Sequence, residues 1–102
     1  MNRSAFRKKA DKIYEEARDT LFRKNEDYAP PTDALANFRH GGFTSVGFRI
    51  AEKATRLKTI VSKGNSNYEQ PRETLLDLLN FCLIGILMLD QKKRLSFPRK
   101  RS

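Results

Sequence analysis

The whole sequence contains one cysteine and one histidine. A lone Cys82 excludes an intramolecular disulfide and any Cys-x-x-Cys metal site, and it fits a reducing compartment. A lone His40 excludes a histidine-rich metal centre and a paired-histidine mechanism. No Gly-x-x-x-x-Gly-Lys-[Ser/Thr] loop occurs, and Gly41-Gly42 lacks its context, so the P-loop way of cradling phosphate is absent. The longest apolar stretch, Leu78 to Leu89, is too short to span a bilayer and is interrupted by Asn80 and Gly85. The basic start, Met1 to Lys9, is followed by no apolar core, which excludes a secretory signal peptide. No segment alternates with period two for long enough to make a strand. These absences describe a soluble, cytoplasmic protein without β-structure.

What is present is one globular domain, residues 1–102, with 38% hydrophobic and 32% charged residues. The net charge of +9 is concentrated at the ends. Residues 1–12 hold five Lys/Arg and residues 91–102 hold six, against the single acid Asp11. Residues 13–90 hold ten bases and eleven acids, so the body is close to neutral. Two basic ends point either to a polyanion or to solubilising decoration, and the latter is the simpler reading of Arg99-Lys100-Arg101.

Three segments carry a helical period. In the first, Phe6, Ala10, Ile13, Tyr14, Ala17, Leu21 and Phe22 recur at steps of three and four, with Ser4 as N-cap and an end near Asn25 ahead of Pro30-Pro31. A long connection follows, over 26–43, in which Thr32-Asp33 can cap a short turn through Phe38. The second segment starts near Thr44 or Ser45, buries Val46, Ile50, Ala54, Leu57 and Val61, and stops at Gly64. The third opens around Pro71 and runs to about Lys93, with acids at its start and bases at its end. Helices are therefore expected near 4–25, 45–62 and 71–93. The fold class is all-α: a small bundle of three main helices with a long first connection. From Leu75 to Leu89 nearly every residue is apolar, so the third helix is expected to be buried almost all round. Two neighbours cannot cover it alone, and completion as a homo-oligomer, most simply a dimer, follows.

Inside that apolar run sit Asp77 and Asn80, which with Glu69 and Glu73 step by four, four and three along one face. A buried carboxylate needs a cation, an Arg/Lys or water beside it. Two carboxylates one turn apart suit Mg²⁺, a hard ion that takes oxygen ligands. A structural ion pair of Asp77 with Arg56 or Arg49 explains the same ladder. On the second helix Arg49, Lys53 and Arg56 share a face with Glu52 beside them, a cluster that can neutralise phosphate oxygens or simply face solvent. Cys82, mid-helix among leucines, reads as core. Ser45 and His40 lack a third member for a hydrolytic triad, and His40 reads as a loop residue.

Three runs occur in a telling order: Lys24-Asn25-Glu26-Asp27-Tyr28, then Arg49-Ile50-Ala51-Glu52-Lys53-Ala54-Thr55-Arg56-Leu57, then Glu73-Thr74-Leu75-Leu76-Asp77-Leu78-Leu79-Asn80-Phe81. Over roughly 18–90 the chain resembles the small, often phage-encoded, nucleotide-modification-associated domain proteins. Those are similar in turn to the all-α nucleotide pyrophosphohydrolases of the MazG and dimeric dUTPase type. The resemblance implies an oligomeric helical bundle in which acids from two helices hold Mg²⁺ on a nucleotide's phosphates and orient water. Carried over by position, Glu52, Glu73 and Asp77 are the catalytic and metal-ligating residues. Lys53 and Arg56 contact phosphate, and Asp27, Tyr28 and Asn80 line the base or sugar pocket. Lys24 and Arg49 complete the nucleotide-binding set. The pattern departs from the family's in two places. The Glu-x-x-Glu pair of the earlier helix is incomplete, with Arg49 three residues before Glu52 and Thr55 three after, and the later pair is spaced by four.

The expected function is nucleotide binding, as a Mg²⁺-dependent (d)NTP pyrophosphohydrolase or a degenerate relative in the host cytoplasm. Two other readings stand beside it: a non-catalytic binder that sequesters a nucleotide or nucleotide-derived signal, and a nucleic-acid-binding accessory protein using the basic ends.

Overall fold

The computed structural model describes the backbone of residues 1–64 and 69–95, and the side chains of 1–64 and 70–91. Its elements are α1 (Arg3–Tyr28), a 3₁₀ turn (Ala36–Phe38), α2 (Gly42–Lys63) and α3 (Glu69–Leu95). Among the described residues there is no strand, so the all-α class expected from the sequence is observed. The chain divides into two compact units, Met1–Asn37 and Phe38–Ser102.

The first unit is α1 and the segment folded back on its end. The N-cap is Asn2, not Ser4: Asn2 Oδ1 accepts from the Ala5 amide at 2.8 Å, and Ser4 already lies inside the helix. An Asn at this position satisfies one of the amides that a helix start leaves without a partner. The helix outruns the expected end at Asn25 and stops at Tyr28. Pro30 keeps the residue before it out of the helical region, and Ala29 is extended (φ −143°, ψ 148°) while its amide still bonds Asn25 O at 2.9 Å. Asn25 Nδ2 then donates to Ala34 O at 2.6 Å, tying the return of the chain to the helix end. The expected stripe of α1 is mostly exposed: Phe6, Ile13, Tyr14 and Phe22 face solvent, and only Ala17 is buried.

The second unit is an antiparallel pair of helices, since Lys53 of α2 meets Asp77 of α3 while Val46 lies against Gly85. Gly42 (φ 62°) turns the chain into α2, two to three residues ahead of the expected start, and Gly64 (φ 73°) ends it in the left-handed conformation expected of a glycine stop. The face of α2 toward α3 is Val46, Ile50, Lys53, Leu57 and Ile60, with Val46 fully buried. Ala54 and Val61, expected there, are exposed. Lys53 takes the place of Ala54 because its stem is apolar and its ammonium has a carboxylate to reach.

On α3 the buried and half-buried positions Thr74, Asp77, Leu78, Phe81, Ile84, Gly85 and Met88 recur at three and four. Thr74, buried, donates its hydroxyl to Gln70 O at 2.9 Å. Pro71 is the third residue of the helix, where its missing amide has no intrahelical partner to lose. The opposite face carries Leu75, Cys82, Leu83, Ile86, Leu87 and Leu89, all exposed. Within this unit α2 covers one face of α3, so the burial expected all round is not met inside it. Cys82 falls on the uncovered side and is not core. The basic tail Arg99-Lys100-Arg101 lies outside the described residues. Among them, no helix is long and apolar enough to cross a membrane.

Candidate functional site

Two parts of the second unit gather polar chemistry. The first is the ion pair of Lys53 Nζ with Asp77 Oδ2 at 3.2 Å, with side chains 22% and 30% exposed. Helix packing brings them together: Lys53 stands on the α2 face that also carries Ile50 and Leu57, and Asp77 sits between Thr74 and Phe81 on the matching face of α3. The expectation of a structural pair for Asp77 is thus met, but by a lysine and not by Arg49 or Arg56, both of which are exposed. The apolar surroundings raise the Coulomb attraction and also the cost of leaving either charge alone.

The second part is an open hollow of about 440 Å³ beside the first turns of α2, lined by Gly41, Thr44, Ser45, Phe48, Arg49 and Glu52. The spacing of these positions sets them along one face of a helix, turned away from Val46 and its packing against α3. The hollow offers a guanidinium, a carboxylate, two hydroxyls and a phenyl ring. Phe48 is 71% exposed, an aromatic side chain left in solvent next to an arginine.

Of the residues expected at the site, Arg49 and Glu52 share this hollow, and Lys53 and Asp77 share the ion pair. Arg56 is exposed further along α2, Glu73 is exposed on α3, and Asn80 is half-buried one turn beyond Asp77. Lys24, Asp27 and Tyr28 stand exposed on the last two turns of α1, in the other unit, and not in a loop. Thr44, Ser45 and Phe48 were not among the expected site residues. Their signal was present in the sequence: Phe48 is a large aromatic residue off the apolar stripe of its helix, in register with Ser45 and Glu52.

The three acids assigned to magnesium do not come together. Asp77 faces the Lys53 ammonium while Glu52 and Glu73 are exposed, and among the described residues no three His, Cys, Asp or Glu side chains form a group fit to hold a metal ion. A magnesium ion takes six ligands in a tight octahedron and is anchored by carboxylates free to face it. The three-acid set is therefore not gathered among the described residues of one chain, while one or two carboxylates with water and substrate phosphates are enough to hold the ion. No family model, no curated protein and no solved structure matches the chain.

Proposed function

We propose that this chain is a nucleotide-binding protein that holds its ligand in the α2 hollow without a preassembled metal centre, a binder more than a hydrolase. The observation that carries the reading is the lining of the hollow: Arg49 set among Thr44, Ser45 and the exposed ring of Phe48. A guanidinium and neighbouring hydroxyls suit phosphate oxygens, and an exposed phenyl ring suits the face of a base. Glu52, on the same wall, suits hydrogen-bond donors of a sugar or base and repels phosphate, which orients the ligand with its phosphates toward Arg49. The sequence resemblance to nucleotide pyrophosphohydrolases supports the ligand class, and the dispersal of Glu52, Glu73 and Asp77 supports binding over turnover. A cytoplasmic location belongs to the same proposal.

The test is a thermal-stabilisation screen of nucleoside mono-, di- and triphosphates with and without Mg²⁺, followed by product analysis. Stabilisation that survives chelation and is lost in Arg49→Ala, with no product formed, is the expected result. Stabilisation that needs Mg²⁺ and leads to a monophosphate and pyrophosphate would replace the proposal with the magnesium-dependent pyrophosphohydrolase. A second reading has its own observation: Arg3, Arg7, Lys8, Lys9 and Lys12 are all exposed on the first turns of α1. It predicts binding to nucleic acid that weakens steeply with salt and ignores Mg²⁺.

A further inference from the structure

The hollow on α2 is polar at both ends, and the two ends are unlike. Gly41, Thr44 and Ser45 lie at the start of the helix, with Arg49 one turn on from Ser45. Glu52 lies at the other end, about 10 Å along the helix axis from Ser45. Phe48 stands between them, 71% exposed. The positive pole of the helix falls at the Gly41 end, so anionic groups are favoured there by the dipole as well as by Arg49. A nucleotide with its phosphates at that end and its base on the Phe48 ring turns the far edge of the base toward Glu52.

That carboxylate is open to a ligand. Arg49, Lys53 and Arg56 all lie within four positions of Glu52, yet among the described residues its side chain pairs with none of them. Lys53 reaches Asp77 instead, at 3.2 Å. An ionised carboxylate only accepts hydrogen bonds, through two oxygens side by side. The bases differ in what they set against such a pair. Guanine presents two adjacent donors, its ring N–H and the exocyclic amino group beside it. Adenine and cytosine each set one amino donor next to a ring-nitrogen acceptor, and uracil and thymine set one N–H between two carbonyls. Each acceptor facing a carboxylate is a repulsion that no hydrogen relieves. Guanine alone among the common bases meets both oxygens at once.

We propose that Glu52 selects guanine, accepting from the ring N–H and the amino group of a guanine nucleotide whose base lies on Phe48. The inference rests on the nucleotide reading of the hollow and adds to it the choice of base. Water reaches the open hollow and replaces part of any lost hydrogen bond, so the expected preference over adenine is about tenfold to a hundredfold.

The test is isothermal titration calorimetry of the full chain with the triphosphates of guanosine, inosine, adenosine and deoxyguanosine. Guanosine is expected to bind most tightly, with deoxyguanosine equal to it. Inosine, which keeps the ring N–H and lacks the amino group, should fall between guanosine and adenosine. In Glu52→Gln the amide offers one acceptor and one donor, which loses the match to guanine and gains one to adenine. The preference should then shrink below about threefold or invert. Glu52 is exposed, and far-UV circular dichroism of the variant should match that of the wild type. Equal affinity for guanosine and adenosine triphosphates, with Arg49→Ala abolishing both, overturns the choice of base and leaves the nucleotide reading standing. So does a guanine preference that Glu52→Gln leaves intact. Deoxyguanosine binding as weakly as adenosine would place the carboxylate on the ribose hydroxyls and also overturn the proposal. No saturable heat with any of the four triphosphates overturns the proposal and the nucleotide reading together. The wild-type series alone decides should the variant lose its helical spectrum.

Discussion

Removing either partner of the Lys53–Asp77 pair probes the joint between α2 and α3 directly. At 3.2 Å the gross attraction is about 5 kcal/mol at an effective dielectric constant near 20. Most of that is offset by taking an ammonium and a carboxylate out of water, and the pair keeps 22% and 30% of its side-chain surface exposed. The net coupling therefore falls between the surface value of under about 1 kcal/mol and the buried value of about 3–5 kcal/mol. Asp77→Asn and Lys53→Met are each expected to cost about 1–2 kcal/mol, which for a domain of this size lowers Tm by about 4–15 °C. Each single cost also contains whatever else the side chain touches, and the double-mutant cycle subtracts it. The double variant should be less destabilised than the sum of the singles by about 1 kcal/mol. Urea unfolding at fixed pH, with equal m-values across the four proteins, measures this. A coupling below about 0.3 kcal/mol would refute the claim that the pair joins the helices. Asp77→Asn should also leave nucleotide-induced stabilisation unchanged, which separates a structural carboxylate from a ligand-holding one.

Three further outcomes follow from the backbone. Gly85→Ala should stabilise by about 0.4–1 kcal/mol in thermal unfolding, because the added methyl meets Phe43 Cε1 at 3.5 Å and Val46 Cγ1 at 3.7 Å, ordinary contact distances, and alanine restricts the unfolded chain. Gly64→Ala should destabilise by about 1–2 kcal/mol, since φ of 73° is a left-handed conformation that a Cβ opposes, and Gly64→Asn should cost less. Asn2→Ala removes the cap of α1 at a local cost of about 1 kcal/mol, read as faster amide exchange in the first turn with no change in α2.

Much of this architecture was readable because helices announce themselves by period and by punctuation. Pro30-Pro31 and Gly64 act through backbone sterics, which depend on nothing distant, and both ended their helices within a few residues of expectation. The face of α2 was less legible. A hydropathy stripe assigns Ala54 and Val61 inward and ranks Lys53 as a surface residue, and only the presence of Asp77 on the opposing helix reverses that order. The burial of α3 was misread for the reciprocal reason: Leu75, Ile86 and Leu89 are apolar whether their cover is the same chain or another. At the site, Arg49 and Glu52 were visible as charges at helical spacing. Thr44 and Ser45 were hidden because hydroxyl residues at a helix start are equally well explained as caps, and Phe48 because an aromatic residue in a helix is ordinarily core. Glu52, Glu73 and Asp77 were joined as one set by the resemblance, which records order along the chain and not which side of each helix faces inward.

The central claim is that a nucleotide occupies the hollow on α2, with Arg49 on its phosphates. Amide chemical shifts, followed by NMR while a nucleoside triphosphate is titrated into the chain in the presence of a chelator, test it most directly. The account predicts saturable shifts clustered at Gly41, Thr44, Ser45, Phe48, Arg49 and Glu52 that vanish in Arg49→Ala, with the resonances of Leu75 to Leu89 unmoved. No saturable shift, or shifts centred instead on Glu73, Asp77 and Asn80 that appear only with Mg²⁺, would contradict it.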